Sequence, residues 1–232
     1  MPRSPIDLPR MQNQPRLRGP LARAPSLVPA AGPEPLPVRA RKPRIRQYDL
    51  IDEVKKYNPA ANEELLNRAY VYAMRAHGEQ KRASGDPYIS HPLEVAAILA
   101  GLKLDDATIA AALLHDTIED TNTDFDDIET HFGPQIAGWV RALTKDKREQ
   151  EPIRENKYIE ELAVSPWQVK ACKLADVHDN LLDSEGFPPD RRAKTFRRSR
   201  QYLSVLDDSY EKVHRAYAIV QRLVQELDPQ VV

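Results

Sequence analysis

The residues of this chain best suited to chemistry stand at the end of its most apolar stretch. Ile109-Ala110-Ala111-Ala112-Leu113-Leu114 runs directly into His115-Asp116, followed by Glu119-Asp120. On a helix, positions 115 and 119 share a face, as do 116 and 120. Four ionisable groups carried into a core are costly unless something pairs them. A divalent cation is a fitting partner, because imidazole and carboxylate together suit first-row metals. The plain alternative is a solvated helix end with a capping cluster. The preceding Ala-Ala-Leu-Leu argues against it by aiming the pair inward.

Two further segments offer ligands. His91 lies in Ile89-Ser90-His91-Pro92, where a loop enters a helix. Asp176 lies mid-helix, among Cys172, Leu174 and Ala175. An unpaired buried carboxylate costs on the order of several kcal/mol, so Asp176 needs a cation. Lys173 is near in sequence but is read as facing elsewhere on the helix. His91, His115, Asp116 and Asp176 make a two-histidine, two-carboxylate set from three segments. Such a set suits Mn²⁺, Fe²⁺ or Zn²⁺ with positions left for water.

The elements that position these residues read as helices. From Arg46 onward glycine is sparse and the apolar period is near 3.6, with no convincing alternating strand. The expected class is all-α. A short helix around 49–54 ends at Asn58-Pro59, and Asn62 caps a longer one with Leu65, Leu66, Ala69, Tyr70, Ala73 and Ala76 on one face. Ser84-Gly85-Asp86-Pro87 marks a loop, after which Pro92 suits the first turn of a helix to Gly101. Asp105 or Asp106 caps the central buried helix. Others are expected from Thr123 to Gly133, from Pro134, from Pro166, and as one long helix after Pro188-Pro189.

The flanking text resembles the hydrolase domain of the RelA/SpoT family, a branch of the HD phosphohydrolases. Residues 76–92 follow the pattern AHxxQxRxSGxPYxxHP, from Ala76-His77 to His91-Pro92. Leu114-His115-Asp116 with Glu119-Asp120-Thr121 follows LHDxxEDT. Leu143-Thr144-Lys145 and Lys173-Leu174-Ala175-Asp176 with Asn180 follow two more family elements, and the resemblance runs over about 45–228.

This resemblance implies an HD-domain helical bundle that hydrolyses the 3′-diphosphate of (p)ppGpp, with Mn²⁺, to GDP or GTP and pyrophosphate. It implies His91, His115, Asp116 and Asp176 as Mn²⁺ ligands and Glu119 and Asp120 as the catalytic acids. It implies Arg82 packed on the guanine, Ser84 at the base edge, and Asn180 reaching the ribose or the water. Lys81, Lys145 and Arg148 are candidates to neutralise the diphosphate. His77 reads as a packing residue near the site. Val177-His178 and Leu182 depart from the family pattern, which bears on the substrate more than on the reaction. Beyond Pro188-Pro189 there is room for one long helix, so the likeness is to the single-domain small alarmone hydrolases, without a synthetase.

Composition sets the bounds. The formal net charge of -1 hides an asymmetry. Residues 1–47 hold 10 basic and 2 acidic residues and 11 of the 20 prolines, leaving 24 basic and 33 acidic groups for the rest. A body with a net charge near -9 repels nucleic acid, whose binding rests on neutralised phosphates. Residues 1–45 read as a disordered Pro/Arg-rich tail, and 46–232 as the hydrolase domain. One Cys excludes a disulfide framework. No apolar run is long enough to span a membrane and no signal-peptide core is visible, so a cytoplasmic location is expected. An oligomer is left open. Two other functions compete: an HD hydrolase of another phosphorylated nucleotide, and a catalytically silent binding module.

Overall fold

The computed structural model describes residues 45–228. Of the tail expected over 1–45, residues 1–44 lie outside them, and Ile45 belongs to the folded body. Ile45 packs against the core, and its N–H donates to Glu94 Oε1 at 3.4 Å. The described residues are helical, as the 3.6 period requires. The helices are α1 (Gln47–Tyr57), α2 (Glu63–His77), α3 (Ser90–Gly101), α4 (Asp106–Leu114), α5 (Thr117–Asp120), α6 (Phe125–Leu143), α7 (Glu151–Val164), α8 (Trp167–Asp183), α9 (Pro189–Leu206) and α10 (Glu211–Leu227). Extended pairing among them is confined to one bridge between Lys81 and Pro87. No helix among the described residues is long and apolar enough to cross a membrane.

Caps fix where several helices begin. Asn62 accepts from the Leu65 N–H at 2.9 Å, and Asp105 accepts from the Thr108 N–H at 2.8 Å. Asp106 instead accepts from the Asn62 N–H at 2.7 Å, tying the start of α2 to that of α4. Asp124, one residue past the expected Thr123, caps α6. Gly133, at φ 83°, bends α6 where a stop and restart at Pro134 are expected. A positive φ costs glycine little.

The core is built around α4 and α8. Ile109 through Leu114 are fully buried, and α4 packs against α2, α3, α6 and α8. Each such Leu or Ile contributes roughly 1.5–3 kcal/mol of burial. α8 buries most of Val169–Leu181 against α3, α4, α6, α9 and α10. These two helices carry the ionisable residues into the interior.

Three readings of the sequence need correction. α4 does not continue through Asp120; it stops at Leu114 and resumes as the single turn α5. Side chains take carbonyls at the junction: His115 Nδ1 donates to Ala112 O and Thr117 Oγ1 to Leu114 O, both at 2.7 Å. Such local bonds compete with the helical ladder. α7 is not foreseen by the apolar period, because its inward stripe is only Glu155, Tyr158 and Leu162. The long final helix is broken at Asp207-Asp208, where Asp208 accepts from the Tyr210 N–H at 3.0 Å and pairs with Lys170 at 3.3 Å.

Candidate active site

Three segments converge on one point. The first turn of α3 carries His91, the α4–α5 junction carries His115 and Asp116, and the middle of α8 carries Asp176. One ligand atom each from His91, His115 and Asp116 lies within 4.8 Å of the others. Asp176 joins from the side: its Oδ1 is 3.1 Å from His91 Nε2 and 3.8 Å from His115 Nε2.

The ring orientations show what this cluster fits. His115 Nδ1 faces a backbone carbonyl, so that nitrogen carries the proton and Nε2 carries the lone pair. Nε2 is buried without hydrogen-bond geometry to any group, although Asp116 Oδ2 lies 3.2 Å away. His91 likewise donates Nδ1–H to Asp179 Oδ2 at 2.7 Å and turns Nε2 toward Asp176 Oδ1 and, at 3.6 Å, Asp116 Oδ2. Two lone pairs and two carboxylate oxygens thus point at each other in a buried cluster, which a divalent cation satisfies. Without one, protons take its part. Burial works to lower His91, but its bonds to Asp176 and Asp179 outweigh it and lift the ring to about 9. Burial works to raise Asp116, and His115 outweighs it, holding that carboxyl below its ordinary range.

Asp176 already has one cation of its own. Lys173 Nζ donates to its Oδ2 at 2.8 Å across one helical turn, so the expectation that Lys173 faces elsewhere is wrong. Lys173 lies over the rings of Tyr158 and Tyr202, at 5.2 and 4.6 Å. Asn180 Nδ2 donates to Asp176 Oδ1 at 2.5 Å. The case for a metal therefore rests on the two Nε2 atoms and the Oδ oxygens facing them.

The two acids of α5 differ. Asp120 is held at both oxygens: Tyr88 OH lies 3.0 Å from its Oδ2, and Lys147 pairs with its Oδ1. The same Tyr88 hydroxyl is 2.7 Å from Asp116 Oδ2, which joins positions 116 and 120 as their spacing suggests. Glu119 accepts only the Lys145 N–H, at 3.1 Å on Oε2, and its Oε1 stands 3.9 Å from Lys145 Nζ. Burial raises Glu119 from its ordinary value, and Lys145 offsets only part of that rise.

These groups line a cavity of about 480 Å³. Arg82, Asn180, Lys81 and Lys145 also line it, whereas Ser84 and Arg148 do not. Ser84 is exposed and donates to Asp86 at 2.7 Å; Arg148 is exposed and grips Asp146. Arg82 has its donors engaged, by Asp179 at 2.6 Å and Asp183 at 3.1 Å. His77 stacks on Tyr88 with ring centroids 4.5 Å apart, as a packing residue would. Sequence reasoning missed the far wall: Arg191, Lys194 and Arg198, one face of α9. It also missed Glu155, whose Oε2 accepts from Tyr202 OH at 2.6 Å, and Asp179. Asp179 had a visible signal, standing one turn from Asp176 on the same helix.

The chain matches the HD-domain family model over residues 69–202. Over 104 residues, 45% of this chain and 14% of the relative, it is 62% identical to the GTP pyrophosphokinase rsh of Brucella ovis. It is 38% identical over 160 residues to the bifunctional (p)ppGpp synthase/hydrolase SpoT of Escherichia coli, covering 66% of this chain and 23% of that one. The chain thus spans under a quarter of these curated relatives. A solved structure of a metazoan ortholog of SpoT that hydrolyses ppGpp superposes with a TM-score of 0.62 and 31% identity, over 69% of this chain and 95% of that one. With the family model matched over more than half its length and this likeness of fold, the chain belongs to the HD-domain family.

Proposed function

We propose that this protein hydrolyses guanosine 3′,5′-bis(diphosphate) at its 3′-diphosphate, using Mn²⁺ and releasing GDP and pyrophosphate, or GTP and pyrophosphate from the 5′-triphosphate form. The observation that carries this reading is the convergence of His91, His115 and Asp116 on one point of a cavity whose opposite wall is basic. A cavity of about 480 Å³ suits a nucleotide. The likeness to SpoT and to the metazoan ppGpp hydrolase supports the choice of substrate.

His91, His115, Asp116 and Asp176 would hold the metal. When bound, Mn²⁺ supplies Lewis-acid polarisation of the phosphoryl group and a lowered pKa for water. Glu119 takes the proton of the attacking water: its Oε1 is the least committed carboxylate oxygen of the acid pair, and burial makes it a stronger base than an ordinary carboxylate. Asp120, held by Tyr88 and Lys147, orients the water. Lys145, Lys81 and the α9 stripe neutralise the phosphates. Arg82 and Asn180 meet the nucleoside, with the flat face of Arg82 left for a base because its edges are filled.

One observation favours a second reading, a phosphohydrolase with broader nucleotide choice. Ser84, the expected base-edge contact, stands outside the cavity lining. The deciding experiment incubates purified protein with ppGpp, pppGpp and other 3′- and 5′-phosphorylated nucleotides, with Mn²⁺ or with EDTA. We expect GDP and pyrophosphate from ppGpp with Mn²⁺ alone. Equal turnover of unrelated nucleotides would favour the second reading, and no turnover of any would overturn both.

A further inference from the structure

The chemistry proposed above leaves the buried carboxylate of Asp179 without a task. Asp179 is 8% exposed and sits on α8, three residues past Asp176. A single oxygen, Oδ2, receives two donors: His91 Nδ1 at 2.7 Å and Arg82 Nη1 at 2.6 Å. His91 belongs to the metal side, and Arg82 belongs to the loop between α2 and α3 on the substrate side. We infer that Asp179 is a positioning residue that fixes the tautomer and tilt of His91 and ties Arg82 to the same anchor. This inference rests on the metal site proposed above.

Two carboxylates compete for the proton of the His91 ring. A neutral imidazole carries one N–H, and carboxylates flank His91 at both nitrogens: Asp179 at Nδ1 and Asp176 at Nε2, 3.1 Å away. With the proton on Nδ1, Nε2 offers a lone pair to a cation. With the proton on Nε2, the ring is spent on Asp176 and is no ligand. Asp179 decides between these arrangements, and Arg82 keeps its oxygen in place from the other side. Asp179 is not itself a ligand, because it meets the ring at Nδ1 and its Oδ2 is filled by two donors. Arg82 adds Asp183 through Nη2 at 3.1 Å, so loop and α8 are clamped together. A substrate that draws on Arg82 therefore acts on His91 through one shared atom, and coupling of this kind is reciprocal.

The test titrates Mn²⁺ into metal-free protein by calorimetry, in wild type, Asp179→Asn and Arg82→Lys, with thermal melts of each. Asp179→Asn keeps the shape, removes the charge and can turn its amide N–H toward Nδ1, holding the wrong tautomer. We expect Mn²⁺ affinity about 10- to 100-fold weaker, the usual cost of losing a carboxylate behind a metal-bound histidine. Arg82→Lys keeps a charge but loses the fork, and Mn²⁺ affinity should fall about threefold. A folded Asp179→Asn protein with wild-type Mn²⁺ affinity overturns the inference and leaves the metal site standing. If Asp179→Asn fails to fold, unchanged affinity in Arg82→Lys overturns it. Absence of Mn²⁺ binding in the wild type overturns the site itself.

Discussion

The two walls of the cavity hold charge in opposite ways. On the metal side, His91, His115 and Asp176 are each less than a tenth exposed, and every ring and carboxylate is pinned by a second group. Ala112 O fixes His115, Asp179 fixes His91, and Lys173 with Asn180 fixes Asp176. On the far side, Lys194 and Arg198 are long side chains, 40% and 27% exposed, that share Glu151 at 2.7 and 2.8 Å. Arg191 lies over the Phe187 ring at 4.0 Å. Buried charges that depend on one another fail together when one is removed, whereas exposed ones are screened and replaceable. The first wall is built for one geometry, and the second supplies potential.

This contrast can be broken or sharpened by substitution. The largest effect should come from the metal wall. Asp176→Asn should abolish Mn²⁺ binding and cut turnover by about 10³-fold or more. Circular dichroism should show helix content near wild type; retained Mn²⁺ affinity by calorimetry would remove Asp176 from the ligand set. Next comes Glu119→Gln, which keeps shape but loses the basic oxygen. It should lower kcat by about 10²–10⁴-fold with Mn²⁺ still bound. A change under about threefold would reduce Glu119 to a helix-end group.

A smaller effect concerns pH. In the metal-free protein His91 is raised to about 9, so below that pH an incoming metal must displace its proton. Mn²⁺ affinity should climb as pH rises toward 9 and level off above it. Flat affinity across that range would show that His91 gives up no proton to the metal. The smallest effect belongs to the basic wall. Arg191→Ala should raise KM about two- to fivefold with kcat unchanged, and added salt should shrink the difference. A fall in kcat instead would mean that this wall acts in the transition state.

The same contrast explains what is legible in the sequence. Buried His and Asp in apolar runs are rare, so His115-Asp116 and Asp176 stand out by their neighbours alone. Arginines on an amphipathic helix are common. Of the six basic residues of α9, only packing against α7 and the cavity selects 191, 194 and 198. α7 itself is hidden because Glu155 occupies its inward stripe, paired there with Tyr202 and Arg198. The break at His115-Asp116 is hidden for a related reason, since it arises from side-chain bonds to Ala112 O and Leu114 O that periodicity does not register. Ser84 shows the converse: a residue legible in a motif whose side chain turns to Asp86 and away from the cavity.

In the mechanism proposed here, the metal wall and Glu119 direct water onto the phosphorus of a 3′-diphosphate. Hydrolysis of ppGpp in ¹⁸O-labelled water, with Mn²⁺ present and mass spectrometry of both products, tests it most directly. We expect one labelled oxygen in pyrophosphate and none in GDP. Label in the GDP, or release of orthophosphate in place of pyrophosphate, would contradict it.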